Sequence, residues 1–346
     1  MPILPVPVAA FASAPGPVLD VRAPAEFAAG HIPGAVSFPL FTDEERARVG
    51  TAYKQVSPDK AVLLGLDFFG PKMSELVRQA RKLAPGGDVR VHCWRGGMRS
   101  GAVAWLLDLA GLRVRQLVGG YKEYRRAVQA EIARPRPLRV LGGLTGAGKT
   151  DVLRALAAQG EPVLDLEALA RHKGSAFGAI GQPAQPTQEQ FENDVAAALA
   201  ALSFSATGRA VWVEDESRSV GGVSIPAGLY EQLRAAPLVV LDVPRGARVA
   251  RLAHEYGSHD PQALALAVLR IGKRLGGLAT TQALGAIVEG DMPRMVELVL
   301  DYYDKTYQFG LDRRAAQVVQ VASDTLDAAV NAALVARAAS SPLSFP

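Results

Sequence analysis

The stretch Leu138-Arg139-Val140-Leu141-Gly142-Gly143-Leu144-Thr145-Gly146-Ala147-Gly148-Lys149-Thr150 decides how the second half of this chain folds. Residues 138–142 form a short apolar run that reads as a strand, and residues 149–159 carry a helical pattern. The turn between them satisfies Gly-x-x-x-x-Gly-Lys-Thr at every specified position. In that context Gly143, Gly146 and Gly148 let backbone N–H groups close on phosphate oxygens. Lys149 adds a positive charge, and the Thr150 hydroxyl can bind Mg²⁺.

Working outward, residues 162–166, 210–214, 237–243 and 318–322 read as further strands separated by helical patterns, and residues 324–338 as a C-terminal helix. This alternation predicts an α/β fold with a parallel sheet. A carboxylate partner for the phosphate loop should end another strand. The segment 211–216 offers Glu214, Asp215 and Glu216, with Asp242 a fourth candidate; Asp215 is preferred. Arg245, Arg248, Arg251, Arg270, Lys273 and Arg274 could close over phosphate or track an RNA backbone, although solvated helix faces are the commoner use of such residues. Tyr302, Tyr303 and Tyr307 could stack bases or fill a partly buried core.

Upstream, Pro135 and Pro137 forbid a helix from continuing beyond residues 121–132. The expected organisation is therefore a first domain over residues 1–132, a linker over 133–137, and a second domain with C-terminal helices over 138–346. Residues 18–21, 36–38, 89–92 and 114–118 read as strands and 74–83 and 100–109 as helices, so the first domain is also α/β.

The only cysteine of the 346 residues lies in His92-Cys93-Trp94-Arg95-Gly96-Gly97-Met98-Arg99-Ser100, again between a predicted strand and helix. Loop amides and a helix N-terminus should converge on whatever the sulfur carries. Together with Arg95 and Arg99 they should favour the thiolate. A buried structural cysteine would have little use for these glycines and arginines.

A single cysteine excludes an intramolecular disulfide and a cysteine-based metal cluster, and suits a reducing compartment. Residues 1–17 carry no Lys or Arg, unlike the charged start of a signal peptide, and no apolar run reaches the ~18 residues that span a bilayer. A cytoplasmic protein with no membrane partner is expected. A net charge of +4 permits nucleic-acid partners without demanding them.

The first half resembles the rhodanese domain, on Leu19-Asp20-Val21-Arg22, Glu26-Phe27, Gly30-His31-Ile32-Pro33-Gly34-Ala35 and Leu117-Val118-Gly119-Gly120-Tyr121. That resemblance implies a cysteine carrying transferable sulfur or selenium. Asp20, Arg22, Glu26 and His31 are expected to hold the fold. The loop departs from the common Cys-x-x-Gly-x-Arg pattern. Five residues separate Cys93 from Arg99, the spacing of cysteine phosphatases, and a wider ring of donors suits a phosphate-like group.

A rhodanese-like domain followed by a P-loop NTPase-like parallel-sheet domain resembles the tRNA 2-selenouridine synthase family. The resemblance extends over Arg171-His172-Lys173-Gly174-Ser175-Ala176-Phe177-Gly178, Gln185-Pro186-Thr187-Gln188, Phe191-Glu192-Asn193 and Val213-Glu214-Asp215-Glu216-Ser217-Arg218. It implies a transferase that replaces the sulfur of wobble 2-thiouridine in tRNA by selenium through a geranylated intermediate. Geranyl diphosphate and selenophosphate would be co-substrates, and a selenophosphate-supplying enzyme a further partner. The residues also allow a P-loop kinase or ATPase with a regulatory rhodanese-like domain, a cysteine phosphatase fused to a nucleotide-binding module, or a non-enzymatic RNA-binding protein.

Overall fold

The computed structural model describes residues 3–202 and 209–340. The chain divides into two compact units, Met1–Glu131 with Glu192–Ala197, and Ile132–Phe191 with Ala198–Pro346. The Glu192–Ala197 segment, placed in the second domain by the sequence pattern, groups with the first unit. There the Asn193 amide donates to His31 O at 2.9 Å and to Tyr121 Oη at 2.7 Å.

The first unit is built on a five-stranded sheet in the order β1-β5-β4-β2-β3, parallel throughout. These strands are β1 (Leu4–Val6), β2 (Val18–Asp20), β3 (Val36–Ser37), β4 (Asp88–His92) and β5 (Arg113–Leu117). β1 was not legible as a strand. It contains Pro5 and pairs only with β5, and a sheet edge is where a strand tolerates a residue without an N–H. Val89 and Val91 of β4 are fully buried, as the middle of a sheet covered on both faces requires. Two helices unmarked by the sequence reading, Asp43–Gln55 and Pro58–Phe69, pack on one another. The first is started by Thr42, whose side chain accepts from Glu45 N while Glu45 caps Thr42 N in return.

The last helix before the prolines, Gly120–Ala133, stops two residues ahead of Pro135. Beyond it a second parallel sheet has the order β12-β11-β6-β8-β7. Its strands are β6 (Leu138–Gly143), β7 (Val163–Leu164), β8 (Val211–Glu214), β11 (Leu238–Asp242) and β12 (Val318–Ala322). The small antiparallel pair β9 (Ser219–Val220) and β10 (Val223–Ser224) stands apart from it.

β6 is central, with β8 on one side and β11 on the other; the chain runs from β6 to the edge strand β7, returns to β8, and then crosses to β11 and β12. The carboxyl end of such a strand opens into the crevice where open α/β sheets bind ligands. The helices Arg245–Gly257, Pro261–Leu275, Gly277–Glu289 and Met292–Leu311 build a separate apolar core around Val268, Met295 and Val296. No helix among the described residues is long and apolar enough to cross a membrane.

Candidate active site

In the first unit, β4 delivers Cys93 to the floor of a loop that ends at the helix Met98–Leu109. The loop is clamped to the turn before the helix Gly120–Ala133: Tyr121 N donates to Cys93 O at 2.8 Å and Lys122 N to Trp94 O at 2.9 Å. Gly120 makes this approach possible. It has φ +60°, and a Cβ there would lie 2.4 Å from Cys93 O. Behind the clamp, Arg22 pairs with Asp20 at 2.6 Å, donates to Gly30 O at 2.7 Å and stacks over the Tyr121 ring at 3.8 Å. Asp20 and Arg22 are both buried, as expected of fold-holding residues. Burial holds His92 down to about 4, so its ring is neutral at pH 7.

Cys93 is only 3% exposed and is counted in the apolar core of this unit, whereas Trp94, Arg95, Gly97 and Met98 above it are exposed. An inert core thiol would have only apolar neighbours; this one does not. Its sulfur lies 3.2 Å from Ser100 Oγ, and Gln116 Nε2 donates to that oxygen at 2.9 Å. The Ser100 proton can then turn either to Gly97 O, 3.1 Å away, or to a sulfur anion. Burial pushes the thiol pKa up. The Ser100 hydroxyl, the amides of Ser100 and Arg95 and the Arg99 charge outweigh it, and the thiol lies below its ordinary value. Arg99 is held by Glu26 through two contacts, Nη1 to Oε2 at 2.6 Å and Nη2 to Oε1 at 3.2 Å, so it acts on the sulfur as a fixed nearby charge. Ser100 and Gln116 were absent from the sequence-based candidates. A Ser at the start of a helix is too ordinary, and Gln116 sits on a different strand.

In the second unit, the loop leaving β6 turns through Gly143, Gly146 and Gly148, all at positive φ. Gly143 is the tightest: a Cβ there would lie 2.8 Å from Leu241 O, and one at Gly146 would meet Leu252 Cδ1 at 2.9 Å. Lys149 and Thr150 begin the following helix, Lys149–Ala158. Lys149 Nζ donates to Gly143 O at 3.0 Å and lies 3.4 Å from Glu214 Oε1. Burial would lower the Lys149 pKa, but Glu214, Glu216 and Glu167 raise it, so the ammonium stays charged.

The preferred carboxylate, Asp215, is corrected here. Thr150 Oγ1 donates toward Glu167 Oε2 at 3.1 Å and Glu214 Oε2 at 3.3 Å. Asp215 instead accepts from Arg314 Nη1 at 2.7 Å and from the Tyr307 hydroxyl at 3.3 Å. Side chains alternate along extended chain, so Glu214 and its neighbour-but-one Glu216 turn one way and Asp215 the other. Glu167, Glu214 and Glu216 bring carboxylate oxygens within 4.8 Å of one another. Burial raises all three pKa values, Glu167 to about 7; Glu214 repels Glu167 and Glu216, and Asp165 repels Glu214. Asp242 is exposed at the end of β11. Glu167 was missed because it lies in a short helix, Leu166–Ala170, with no motif around it.

The arginines divide. Arg248 is buried, donates to Thr145 O at 3.1 Å and pairs with Asp304 at 2.9 Å, whereas Arg251 pairs with Asp151 at 2.7 Å and Arg245 with Asp301 at 2.6 Å. The tyrosines brace loops: Tyr307 Oη accepts from Gly143 N at 2.9 Å and Tyr303 Oη from Ala176 N at 3.0 Å.

Residues 8–127 match the rhodanese-like domain family, and residues 136–338 match the family described as the tRNA 2-selenouridine synthase AAA domain. Full-length relatives agree. A tRNA 2-selenouridine synthase of Bdellovibrio bacteriovorus is 37% identical, with 88% of this chain and 91% of that one covered. One from Bordetella bronchiseptica is 38% identical over 88% and 90% of the two chains. One from Shewanella sediminis is 34% identical over the same shares.

The chain belongs to the tRNA 2-selenouridine synthase family.

For a tRNA 2-selenouridine synthase the two loops have a common logic. Each places backbone amides at the junction of a central strand and a helix, one beside a thiol and the other beside a lysine with a hydroxyl next to it, an arrangement suited to an anion. The family assignment makes the chain an enzyme that acts on tRNA, in place of a cysteine phosphatase fused to a nucleotide-binding module, a P-loop kinase or ATPase with a regulatory rhodanese-like domain, or a non-enzymatic RNA-binding protein.

Proposed function

We propose that this protein is a transferase that exchanges sulfur for selenium at the wobble 2-thiouridine of tRNA, using geranyl diphosphate and selenophosphate. The observation that carries the reading is the pairing, in one chain, of a thiol held below its ordinary pKa by loop amides and Ser100 with a Gly143–Thr150 cradle suited to a diphosphate.

At the cradle, Lys149 and the amides around Gly146 and Gly148 hold the diphosphate and stabilise the charge that grows on it as the carbon–oxygen bond breaks. The thiouridine sulfur attacks the freed geranyl carbon, and diphosphate departs. The sulfur, now a thioether, has become a leaving group, and selenium displaces it from the base. The displacement runs in two steps: the Cys93 thiolate adds at C2 of the base and expels geranylthiolate, and the selenium of selenophosphate, its charge compensated by Arg99 and the loop amides, then displaces Cys93 as water splits the Se–P bond and phosphate leaves. A partner enzyme supplies the selenophosphate.

The Thr150 hydroxyl with Glu167 and Glu214 is an all-oxygen donor set, the chemistry Mg²⁺ selects. Mg²⁺ bound there would neutralise part of the diphosphate charge.

Nucleoside mass spectrometry of tRNA treated with the protein, geranyl diphosphate and selenophosphate tests the reading. Cys93→Ala should abolish 2-selenouridine and leave S-geranylated 2-thiouridine forming. Lys149→Ala should depress geranylation itself. Unchanged nucleoside profiles in both variants would defeat the assignment.

A further inference from the structure

Beside the carboxylates of the second unit lies a cavity of about 560 Å³ lined by His172, Gly174, Ser175, Gln185, Ser219 and Arg270, among others. A Cβ on Gly174 would lie 2.7 Å from Glu216 Oε2 and 3.1 Å from Glu167 Oε1. The cavity wall therefore backs directly onto Glu216 and onto Glu167, which meets Thr150.

Three features of the lining point to a ligand. Arg270 is exposed and makes no hydrogen bond or ion pair among the described residues, unlike Arg245, Arg248 and Arg251 nearby in sequence. His172 is 8% exposed, and its Nδ1 has no hydrogen-bond partner among the described residues, although an orphaned polar atom in a buried ring is costly to fold. The wall is also rigidly built. Gln185 donates to Ala170 O at 2.9 Å and Val220 O at 3.0 Å and accepts from Gly222 N at 2.7 Å, tying the β9–β10 turn to the chain that follows Leu166–Ala170.

The chemistry of the lining selects the ligand class. An unpaired guanidinium beside an imidazole suits a phosphate. Serine hydroxyls and glycine peptides suit sugar and base edges, and the alanines are too few for a prenyl chain. The volume is that of a pocket for a nucleotide-sized molecule and is far larger than a lone phosphate needs. The neighbouring Gly143–Thr150 loop already provides for a diphosphate.

We infer that this cavity seats one nucleotide of the RNA substrate, its phosphodiester met by Arg270 and its remaining edges by His172 and the serine–glycine wall. The inference rests on the tRNA reading above and names where that RNA enters the second unit.

The test is binding of a synthetic anticodon stem-loop carrying 2-thiouridine at its wobble position to the full chain, measured across salt concentrations, with inorganic pyrophosphate binding measured in parallel. Arg270→Ala, at an exposed and unpaired residue, should weaken RNA binding about five- to tenfold. It should also flatten the slope of log affinity against log salt by about 0.7 to 1, with pyrophosphate affinity unchanged. Ala179→Trp, which fills the cavity from an exposed lining position without altering a charge, should weaken RNA binding with little change in slope. If both variants bind RNA like the wild type, the cavity is not the seat. Loss of pyrophosphate binding with RNA binding intact would assign it to a small anion and overturn the nucleotide. A wild-type chain that fails to bind the stem-loop would defeat the tRNA reading and the site with it.

Discussion

The sulfur of Cys93 and the hydroxyl oxygen of Ser100 lie 3.2 Å apart, with Gln116 donating to the same hydroxyl from the neighbouring strand. This contact turns a thiol that is 3% exposed into one poised for chemistry, because burial alone would push its pKa the other way. Ser100→Ala should therefore raise the thiol pKa. With one cysteine in the chain, the pH profile of alkylation by iodoacetamide reads this directly. The midpoint should move up, and the rate at pH 7 should fall about fivefold, the equivalent of one hydrogen bond of about 1 kcal/mol. Superimposable profiles would show that Ser100 does not stabilise the anion.

Glu26 fixes Arg99 and caps the helix Pro24–Ala29, accepting from Ala23 N at 3.1 Å. Burial would raise its pKa, but the Arg99 hydrogen bond and charge hold it below the ordinary 4.5. A depressed carboxylate contributes stability above its unfolded pKa and loses it as pH falls through its folded one. Glu26→Gln should cost about 1 kcal/mol at pH 7, and the gap from wild type should close below about pH 4. Thermal denaturation at both pH values checks the sign; a gap that widened in acid would contradict it.

Asp20 and Arg22 form a buried pair beneath Tyr121, away from any reacting atom. Arg22→Met should cost about 3 to 5 kcal/mol by leaving a buried carboxylate uncompensated. Adding Asp20→Asn should recover part of the loss. Urea denaturation of the three variants measures the coupling, and strictly additive losses would exclude it.

Tyr307 joins Gly143 N, the first amide of the phosphate loop, to Asp215. Tyr307→Phe should lower stability by about 1 to 2 kcal/mol and the melting temperature by roughly 2 to 6 °C. It should also weaken pyrophosphate binding in calorimetry, because the loop entrance loses its brace. A variant that melts lower but binds pyrophosphate normally would confine Tyr307 to a structural role.

Much of the fold was legible because each element is encoded locally. The extent of β12, Val318–Ala322, was read without error, and the ends of β4 and β6 were read to within a residue, since short apolar runs bounded by polar or turn-forming residues leave few alternatives. Elements that rely on context were not. β1 is three residues including a proline and exists only because β5 offers it an edge. The helices Asp43–Gln55 and Pro58–Phe69 carry few buried residues between them and so leave a weak periodic signal.

The amino-acid order by itself determined the two strand–loop–helix junctions, at Cys93 and at Lys149, each of a kind suited to an anion. Such a cradle is made by consecutive amides between a strand and a helix, and needs nothing from distant chain. Only tertiary structure decided that Glu214 rather than Asp215 faces Thr150, that Arg314, 99 positions away, engages Asp215, and that Gln116 orients Ser100. Those outcomes follow from which strands lie side by side and which way their side chains alternate, a register set by packing of the whole sheet.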